Sequence, residues 1–335
     1  MKIYRYPLFV LLVMYASCTT QQPPLTIVDI SGANRVDTSK VWLSHEHLLV
    51  DFIGADSINP TTWNRDSIIQ EMLPYFKAIA NHGVDYFVDA TPSFLGRDIE
   101  LLQRMSEESS IKIITNTGLY GAVNNKYIPQ SAKAATAEEL AQIWTDEFNF
   151  GINQTQIKPG FMKIGVDNTA PLEPIDAKLV KAAALTHLQT GLTIASHTGK
   201  ALGMWPQLAI LREHGVSPEA FIWVHAQNEQ NVNEYLKAAK TGCWISLDGL
   251  GWETNYHVAK LVFAKENGFL DRILISHDAG WYDPQKKVQA VQPYTNIFEK
   301  VIPKLYEKGF SQADIDLLLK YNPAKAFAIE IRKME

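Results

Sequence analysis

His45 and His47 are the residues of this chain whose type and spacing most clearly suggest chemistry. They end an apolar run, Val41-Trp-Leu-Ser-His-Glu-His. On a β-strand alternate residues point to the same side, so the two imidazoles would share one face and Glu46 would lie on the other. Neutral imidazole is the commonest protein ligand for zinc and similar ions. The pair predicts half of a metal site, although His-x-His alone also occurs at ordinary polar strand ends.

Further polar residues stand in or at the end of other apolar runs. They are Lys163, His197, His225 and Asp278. In a barrel of alternating strands and helices, the C-terminal strand ends meet at one rim and form the active site. Each of these residues, taken alone, could have a purely structural role, such as a hydrogen bond at the rim or capping of the next helix. Their joint occurrence with the first pair favours a metal centre. His277 is not a predicted ligand, because its side chain should point to the opposite side of the strand from that of Asp278 and so away from the interior.

Lys163 is unusual because its run, Phe161-Met-Lys-Ile-Gly, is otherwise apolar. An unpaired ammonium in such a strand is costly, so its pKa should fall and the neutral amine should become available. A neutral amine can take up carbon dioxide as a carbamate, which is anionic and can bridge two cations. We therefore expect Lys163 to form such a bridge. If it is instead a free cation, its charge would repel metal ions and count against a metal site.

The residues that carry this chemistry belong to eight short β-like runs, which alternate with segments of helical apolar spacing. The predicted strands are residues 41–47, 86–90, 111–117, 160–165, 192–197, 221–225, 244–247 and 273–277. The predicted helices include residues 66–80, 138–150, 176–189, 231–240, 257–266, 312–320 and 323–333. This alternation predicts an α/β fold, a single-domain (β/α)8 TIM barrel over residues 26–335. A doubly wound open sheet is the alternative, but no Gly-x-Gly-x-x-Gly follows the first strand.

The N-terminal segment has the pattern of an export signal. A positively charged start precedes an apolar stretch over residues 8–15, which is too short to span a bilayer. Cys18 after Ala-Ser resembles the bacterial lipobox, in which that cysteine is lipidated, although Tyr15 stands where Leu is usual. We expect a lipoprotein-type signal peptide over 1–17, a tether over 18–25, and a periplasmic or membrane-anchored lipoprotein of a bacterium. Plain secretion is the alternative.

Composition and charge exclude one class of partner. The chain is 46% hydrophobic and 20% charged, which is typical of a globular protein. Its net charge is -5 and it has no Lys/Arg-rich run. Because phosphate backbones are bound by clustered positive charge, we expect no nucleic-acid partner.

Several segments resemble the phosphotriesterase family of the amidohydrolase superfamily, which includes the phosphotriesterase-related and phosphotriesterase-like lactonase proteins. The resemblance covers about residues 26 to 330. The similar segments come in family order: Leu43-Ser-His-Glu-His-Leu, Val88-Asp-Ala-Thr-Pro-Ser-Phe-Leu-Gly-Arg-Asp, Thr117-Gly-Leu-Tyr, Phe161-Met-Lys-Ile, Ile194-Ala-Ser-His-Thr and Asn322-Pro-Ala. The motifs are specific to that family, which implies a (β/α)8 barrel and a binuclear metal site.

The resemblance also implies a role for each residue that matches the family's ligands. A buried metal would be held by His45, His47 and Asp278, a more exposed one by His197 and His225, and carbamylated Lys163 plus a hydroxide would bridge them. Zinc is the default ion for such ligands, with manganese, iron and cobalt as alternatives. Two metals supply nucleophile and Lewis acid together. Asp278 would pass the hydroxide proton toward the leaving group. Tyr120 matches a tyrosine that lactonases aim at the substrate, with simple rim packing as the alternative.

Two segments depart from the family pattern and bear on the substrate. After His225 the chain reads Ala-Gln-Asn-Glu, where relatives usually have a small residue and an Asp. Strand seven is followed by Asp248 and Gly249, while the lactonase branch has an Arg directly after the Asp, which puts acyl-homoserine lactones in doubt. Candidate substrate contacts, with simple lid packing as the alternative, are Trp252, His257, Trp281 and Tyr282.

We therefore expect a binuclear metal-dependent hydrolase that uses a metal-bridging hydroxide to cleave a lactone or carboxylic ester. Promiscuous phosphotriesterase activity and a homodimer are further expectations from the family resemblance. One alternative is a surface lipoprotein that binds a carbohydrate or another small molecule without turnover. The other is an amide or phosphodiester hydrolase of the same superfamily.

Overall fold

The chain enters its barrel through a β-hairpin formed by β1 (Thr26–Asp29) and β2 (Gly32–Arg35), which pair antiparallel. The side chain of Asp29 accepts hydrogen bonds from the backbone and hydroxyl of Ser31, which closes the turn. The computed structural model describes Met1 and residues 25–334. The predicted signal peptide after Met1, the predicted lipidation site Cys18 and residues 18–24 of the predicted tether lie outside the described residues.

Parallel strands follow in the order that the sequence predicts. They are β3 (Val41–Leu49), β4 (Val84–Asp89), β5 (Lys112–Ile114), β6 (Asn116–Thr117), β7 (Phe161–Gly165), β8 (Ile194–His197), β9 (Phe221–Val224), β10 (Trp244–Leu247), β11 (Ile273–Ile275) and β12 (Gly280–Tyr282). The third barrel strand is interrupted at Thr115 and therefore appears as β5 and β6. The short β12 follows β11 and pairs with β3. The predicted (β/α)8 barrel is confirmed.

Helices cover the outside of the barrel. They are α1 (Arg65–Asn81), α2 (Ile99–Ser109), α3 (Gln130–Ala134), α4 (Ala137–Phe150), α5 (Pro174–Thr190), α6 (Ala201–Glu213), α7 (Val232–Thr241), α8 (Thr254–Glu266), α9 (Ile302–Glu307), α10 (Gln312–Asp316) and α11 (Asn322–Ala326). Residues Ile297–Val301 and Leu317–Tyr321 are π-helical. Within residues 25–334, none of the helices has the length and apolarity needed to cross a bilayer.

The first predicted closing helix, over 312–320, is helical throughout, as α10 followed by the π-helical turn Leu317–Tyr321. The second, over 323–333, is wrong in its C-terminal bound, because it ends at Ala326. After Ala326 the backbone forms hydrogen bonds with other segments of the barrel and not within a helix. Ile329 N donates to Thr26 O of β1 (2.7 Å), and Glu330 N donates to Gly191 O (3.1 Å). These long-range bonds replace the helical ones, a competition that local spacing cannot reveal.

Alternate strand residues face the barrel interior and form an apolar cluster. Its strand members are Trp42, Tyr86, Val88, Ile114, Phe161, Ala195, Ile222, Val224, Trp244 and Leu274. Ile27 from β1 and Phe327 after α11 belong to the same cluster, and Phe327 stacks on Trp42. The N-terminal end of the interior is therefore filled with apolar side chains, so polar chemistry is confined to the C-terminal end.

The barrel closes through the carboxylate of Glu46, which lies on the opposite face of β3 from the two histidines, as predicted. It is fully buried and bonded to four donors of the segment after β11: Ser276 Oγ (2.7 Å), His277 N (2.9 Å), His277 Nδ1 (2.7 Å) and Ala279 N (2.9 Å). The predicted outward direction of His277 is confirmed, since its ring pairs with Glu46 and not with the interior. One side chain thus ties the first strand to the last.

Replacing Glu46 with glutamine should destabilise the fold. In glutamine an NH2 group replaces one of the two carboxylate oxygens, so a donor would face the donors that now bind that oxygen. The bonds that remain would no longer be assisted by the negative charge. The expected loss in the free energy of unfolding is about 2 to 4 kcal/mol. Urea-induced unfolding of the metal-chelated protein measures it. The exposed Glu71 on α1 is the matched control, and equal effects of Glu46→Gln and Glu71→Gln would contradict the closing role.

Candidate metal centre

Strand alternation carries two of the predicted ligands into the interior. On β7 the buried Phe161 is followed two residues later by Lys163, and on β8 the inward Ala195 is followed by His197. Both polar side chains therefore lie one step above the apolar cluster. The backbone of Lys163 is approached closely by Gly118, where any β-carbon would collide with the Lys163 carbonyl oxygen. Gly118 also has a φ of +116°, so glycine is required there.

On β3 the inward direction of the histidines depends on a bulge. The register between β3 and β4 shifts between Leu43 and Glu46, and the shift carries both histidines to the interior side. His47 Nδ1 lies 2.7 Å from Thr91 Oγ1, so Nε2 is the ring nitrogen directed at the centre, 3.0 Å from Asp278 Oδ1. A bond at one ring nitrogen fixes which nitrogen is left for a metal.

His225 reaches the interior by a different route. Val224, just before it, faces inward, so simple alternation would turn His225 outward. Instead His225 has a left-handed φ of +58°, which returns its side chain to the interior. Asp248 holds it there by accepting bonds from His225 Nδ1 (2.6 Å) and His225 N (3.0 Å). Strain at this residue is offset by a buried, charged acceptor.

These side chains meet at the floor of one cavity of about 140 Å³. It is lined by His47, Val50, Phe52, Leu95, Tyr120, Val123, Tyr127, Lys163, His197, His225, Asp278 and Trp281. His45 adjoins it, with its ring centroid 5.4 Å from that of His47 and 5.2 Å from that of His225. All six predicted metal ligands are therefore brought together.

Burial keeps two of the imidazoles neutral. It lowers the pKa of His45 and of His197 well below the ordinary value, and the positive charge of Lys163 lowers both further. For His225 burial acts in the same direction, but the Asp248 carboxylate more than offsets it and raises the pKa. The neutral form is the one that binds metals, so His45 and His197 stand ready as ligands at neutral pH.

The charged members of the centre are Lys163 and Asp278. Burial lowers the pKa of Lys163 to about 8, against the opposing charges of Asp278, Asp248 and Asp89. Burial alone would raise the pKa of Asp278, but its bond to His47 and the charge of His225 lower it below the ordinary value. Asp278 is thus a carboxylate at neutral pH, and Lys163 has an amine that deprotonates more readily than an exposed lysine.

The donor set fits divalent metal ions. Ligand atoms of His45, His225 and Asp278 lie within 4.8 Å of one another. Among the described residues His45 Nε2 has no hydrogen-bonding partner although it is buried, which is costly unless another group binds it. Nitrogen and carboxylate ligands are those that zinc and similar ions prefer. His45, His47, His197, His225, Asp278 and a carbamylated Lys163 are the residues that would hold the ions.

The structure separates the other predicted site residues into two groups. Tyr120 lines the cavity, and its hydroxyl lies 3.1 Å from His197 Nε2. Trp281 also lines it, with a ring centroid 6.2 Å from that of His47. Trp252, His257 and Tyr282 are not among the lining residues.

Each of these three has a different position. Trp252 packs on the outer side of Trp281, at 6.2 Å between ring centroids, and is 40% exposed. Tyr282 follows Trp281 on β12, so it faces the opposite side and packs against the outer core. His257 is buried on α8, where Nδ1 bonds to Glu253 O. None of the three contributes to the cavity wall.

Sequence reasoning missed the residues that position the ligands. They are Glu46, Thr91, Gln227 and Asp248. Asp248 carried a usable signal, since it directly follows an apolar strand and lies in phase with the inward Trp244 of β10. The others carried none, because their roles depend on partners distant in sequence.

Comparison with known proteins gives a consistent match. The model of the phosphotriesterase family matches residues 29–327. The phosphotriesterase homology protein of Escherichia coli is 29% identical over 87% of this chain and 99% of its own length. The crystal structure of a phosphotriesterase homology protein from E. coli, complexed with phosphate in the active site, has a TM-score of 0.74. It is 28% identical and covers 87% of this chain and 99% of that one.

Two other relatives have names that state a reaction. The aryldialkylphosphatase of Saccharolobus solfataricus is 29% identical over 90% of this chain and 99% of its own length. The human N-acetyltaurine hydrolase is 27% identical over 76% of this chain and 75% of its own length. Relatives of this chain thus include enzymes named for phosphoester and for amide substrates.

Replacing Lys163 with methionine should stabilise the metal-free protein while weakening metal binding. The pKa of Lys163 is lower in the fold than its ordinary value of 10.5, so its charge destabilises the fold below about pH 8. Removing the charge should raise the free energy of unfolding by about 1 to 3 kcal/mol at pH 7, and the gain should vanish above pH 10.5. Chelated proteins are compared by urea unfolding, with the exposed Lys77→Met on α1 as control. A less stable Lys163→Met protein at pH 7 would refute this account of the charge.

Proposed function

This chain belongs to the phosphotriesterase family, and on that premise we propose that it is a binuclear metal-dependent hydrolase of lactones or carboxylic esters. Membership makes it a hydrolase of the amidohydrolase type. The observation that carries the proposal is the convergence of four histidines, Asp278 and the buried Lys163 at the floor of one cavity. The apolar wall of that cavity supports an uncharged substrate.

The metal ions and the carbamate belong to the proposal. His45, His47 and Asp278 would hold one ion, His197 and His225 the other, and carbamylated Lys163 would link them. When bound, the two ions would supply the Lewis acid that polarises the scissile bond and acidifies the attacking water. The lowered pKa of Lys163, about 8, supports carbamate formation because carbon dioxide reacts with the neutral amine.

Two side chains are suited to moving protons and orienting the substrate. Asp278 lies 3.0 Å from His47 Nε2 in the centre, and its carboxylate would accept the proton of the attacking water through the oxygen that does not bind the metal. Tyr120 is buried, and burial raises its pKa above the ordinary value, so its hydroxyl stays protonated at neutral pH. That hydroxyl faces the cavity beside His197 and would donate a hydrogen bond to a substrate oxygen.

The cavity wall supports a particular substrate class. Above the ligands it is formed by apolar and aromatic side chains: Val50, Phe52, Leu95, Tyr120, Val123, Tyr127 and Trp281. Apart from the metal-site residues at the floor, the residues that line this cavity include no basic side chain. An anionic group on the acyl or leaving-group part of a substrate would therefore find no cationic partner at the wall. We propose an ester or lactone with an uncharged apolar acyl or alkyl group.

The apolar wall also bears on the two other reactions for which relatives are named, amide hydrolysis and phosphotriester hydrolysis. A substrate such as N-acetyltaurine carries a sulfonate, which needs a cationic or hydrogen-bonding partner when it is desolvated. An organophosphate triester is uncharged, so the wall would accept it, and weak phosphotriesterase activity is the second candidate function. The aryldialkylphosphatase relative favours this second candidate.

The proposal predicts close to two equivalents of metal per chain and turnover of neutral esters or lactones. A panel of lactones, carboxylic esters, N-acyl amides including N-acetyltaurine, and phosphate esters is assayed with zinc-loaded protein. We expect the uncharged apolar esters or lactones to have kcat/KM at least about 100-fold above N-acetyltaurine. Lys163→Ala should lose both metal and activity. A metal-free, well-folded protein from metal-replete cells would point to a binding protein, and a preference for N-acetyltaurine would point to an amide hydrolase.

We also propose that the protein is exported and held at a membrane through a lipid on Cys18, with a homodimer as its assembly. The sequence pattern around Cys18 supports the anchor, and the homodimer is an expectation from the family resemblance alone. Metabolic labelling with a fatty acid should mark the wild-type chain and not Cys18→Ser. The matched control is the buried Cys243, whose replacement by alanine should leave labelling intact. An unlabelled wild-type chain in the soluble fraction would contradict the anchor.

A further inference from the structure

Asp248 is a buried carboxylate with no spare acceptor position. Its Oδ2 accepts from His225 N (3.0 Å) and Ser246 Oγ (2.8 Å). Its Oδ1 accepts from His225 Nδ1 (2.6 Å) and Gln227 Nε2 (2.8 Å). Two of the four donors belong to a proposed metal ligand, so the orientation of this carboxylate decides the orientation of the His225 ring.

Gln227 contacts Asp248 at two points. Besides the bond from its Nε2, its Oε1 accepts a bond from Asp248 N (3.2 Å). The amide therefore spans the side chain and the backbone of one residue, which restricts rotation of the carboxylate. Gln227 is only 8% exposed. A buried amide with both ends bonded is a rigid positioning element rather than a surface side chain.

Helix α8 holds the segment that carries Gln227. Tyr256 Oη donates to Gln227 O (3.0 Å), and Lys260 Nζ donates to Glu229 O (2.6 Å). The Lys260 ammonium also lies over the ring of Tyr256, 4.4 Å from its centroid. The loop after β9 is thus fixed from outside, so the amide is held in place before any metal is bound.

The amide also occupies space that a side chain at position 249 would need. A β-carbon on Gly249 would lie 3.1 Å from Gln227 Nε2 and 2.9 Å from His257 Nε2. The side chains of Gln227 and His257 together therefore fill the room beside Gly249.

We propose that Gln227 is a positioning residue for the metal centre. Its amide fixes the Asp248 carboxylate, which holds His225 Nδ1 and so leaves His225 Nε2 as the ligand atom. The inference rests on the proposed function, since it assigns His225 to a metal. It makes the amide part of the construction of the site in this chain, and the amide and His257 together limit the room at position 249.

The test replaces Gln227 with methionine, which keeps the length and removes both hydrogen bonds. Zinc affinity is measured by competition with a chelator of known affinity. We expect one of the two zinc ions to bind about 10- to 100-fold more weakly. In metal-free protein labelled with 15N-histidine, the low-field proton on His225 Nδ1 should shift or broaden. Gln230→Met, an exposed glutamine on the same loop, should leave both readouts unchanged.

Two further variants separate positioning from space filling. Gly249→Ala should lower the melting temperature, and adding Gln227→Ala should restore part of it while zinc binding stays weak. Wild-type zinc affinity together with an unchanged proton signal in Gln227→Met would overturn the inference. If Gln227→Met does not fold, Gln227→Ala replaces it in both measurements. Absence of zinc from the wild-type protein would instead count against the proposed function, and the proton signal would still decide the role of Gln227.

Discussion

The interaction on which the rest of the structure depends is the bond set of the Glu46 carboxylate. A (β/α)8 barrel must join its last strand to its first, and here a buried carboxylate with four donors reinforces the backbone pairing of β12 with β3. Those donors belong to residues 276–279, which include the backbone on both sides of Asp278. The same hydrogen bonds therefore help to close the barrel and to place the Asp278 carboxylate opposite the histidines of β3. The residue between the two histidines is as important as the histidines themselves.

The centre is built from groups that the fold alone does not favour. Lys163 is buried with a lowered pKa, and His45 Nε2 is buried without a partner among the described residues. His225, Asp278 and Trp281 all have left-handed backbone conformations, at φ of +58°, +52° and +62°. Such features persist where surrounding contacts over-determine them, and they cluster at functional sites. The apolar core at the other end of the barrel supplies the stability that these groups do not.

Local periodicity was sufficient to predict the barrel and part of the site. Lys163 and His197 follow the alternation of their strands, so their inward direction could be read directly from sequence. His225 could not, because it reaches the interior only through a left-handed residue that breaks the alternation. The partner of Glu46 is about 230 positions away in sequence, and no local pattern identifies it. Trp252 after β10 and His257 on α8 lie outside the cavity wall, which agrees with the packing alternative that the sequence left open.

The central claim is that two metal ions and a carbamate on Lys163 complete this site. Family membership supports hydrolysis, and the apolar wall supports an uncharged substrate, but turnover in this account depends on that centre. Diffraction data at the zinc absorption edge, from crystals of protein purified from metal-replete cells, test it most directly. The account predicts two anomalous peaks, one beside His45 and His47 and one beside His197, with density for a carboxyl group on Lys163 Nζ. A single peak, or no peak with an unmodified lysine, would contradict it.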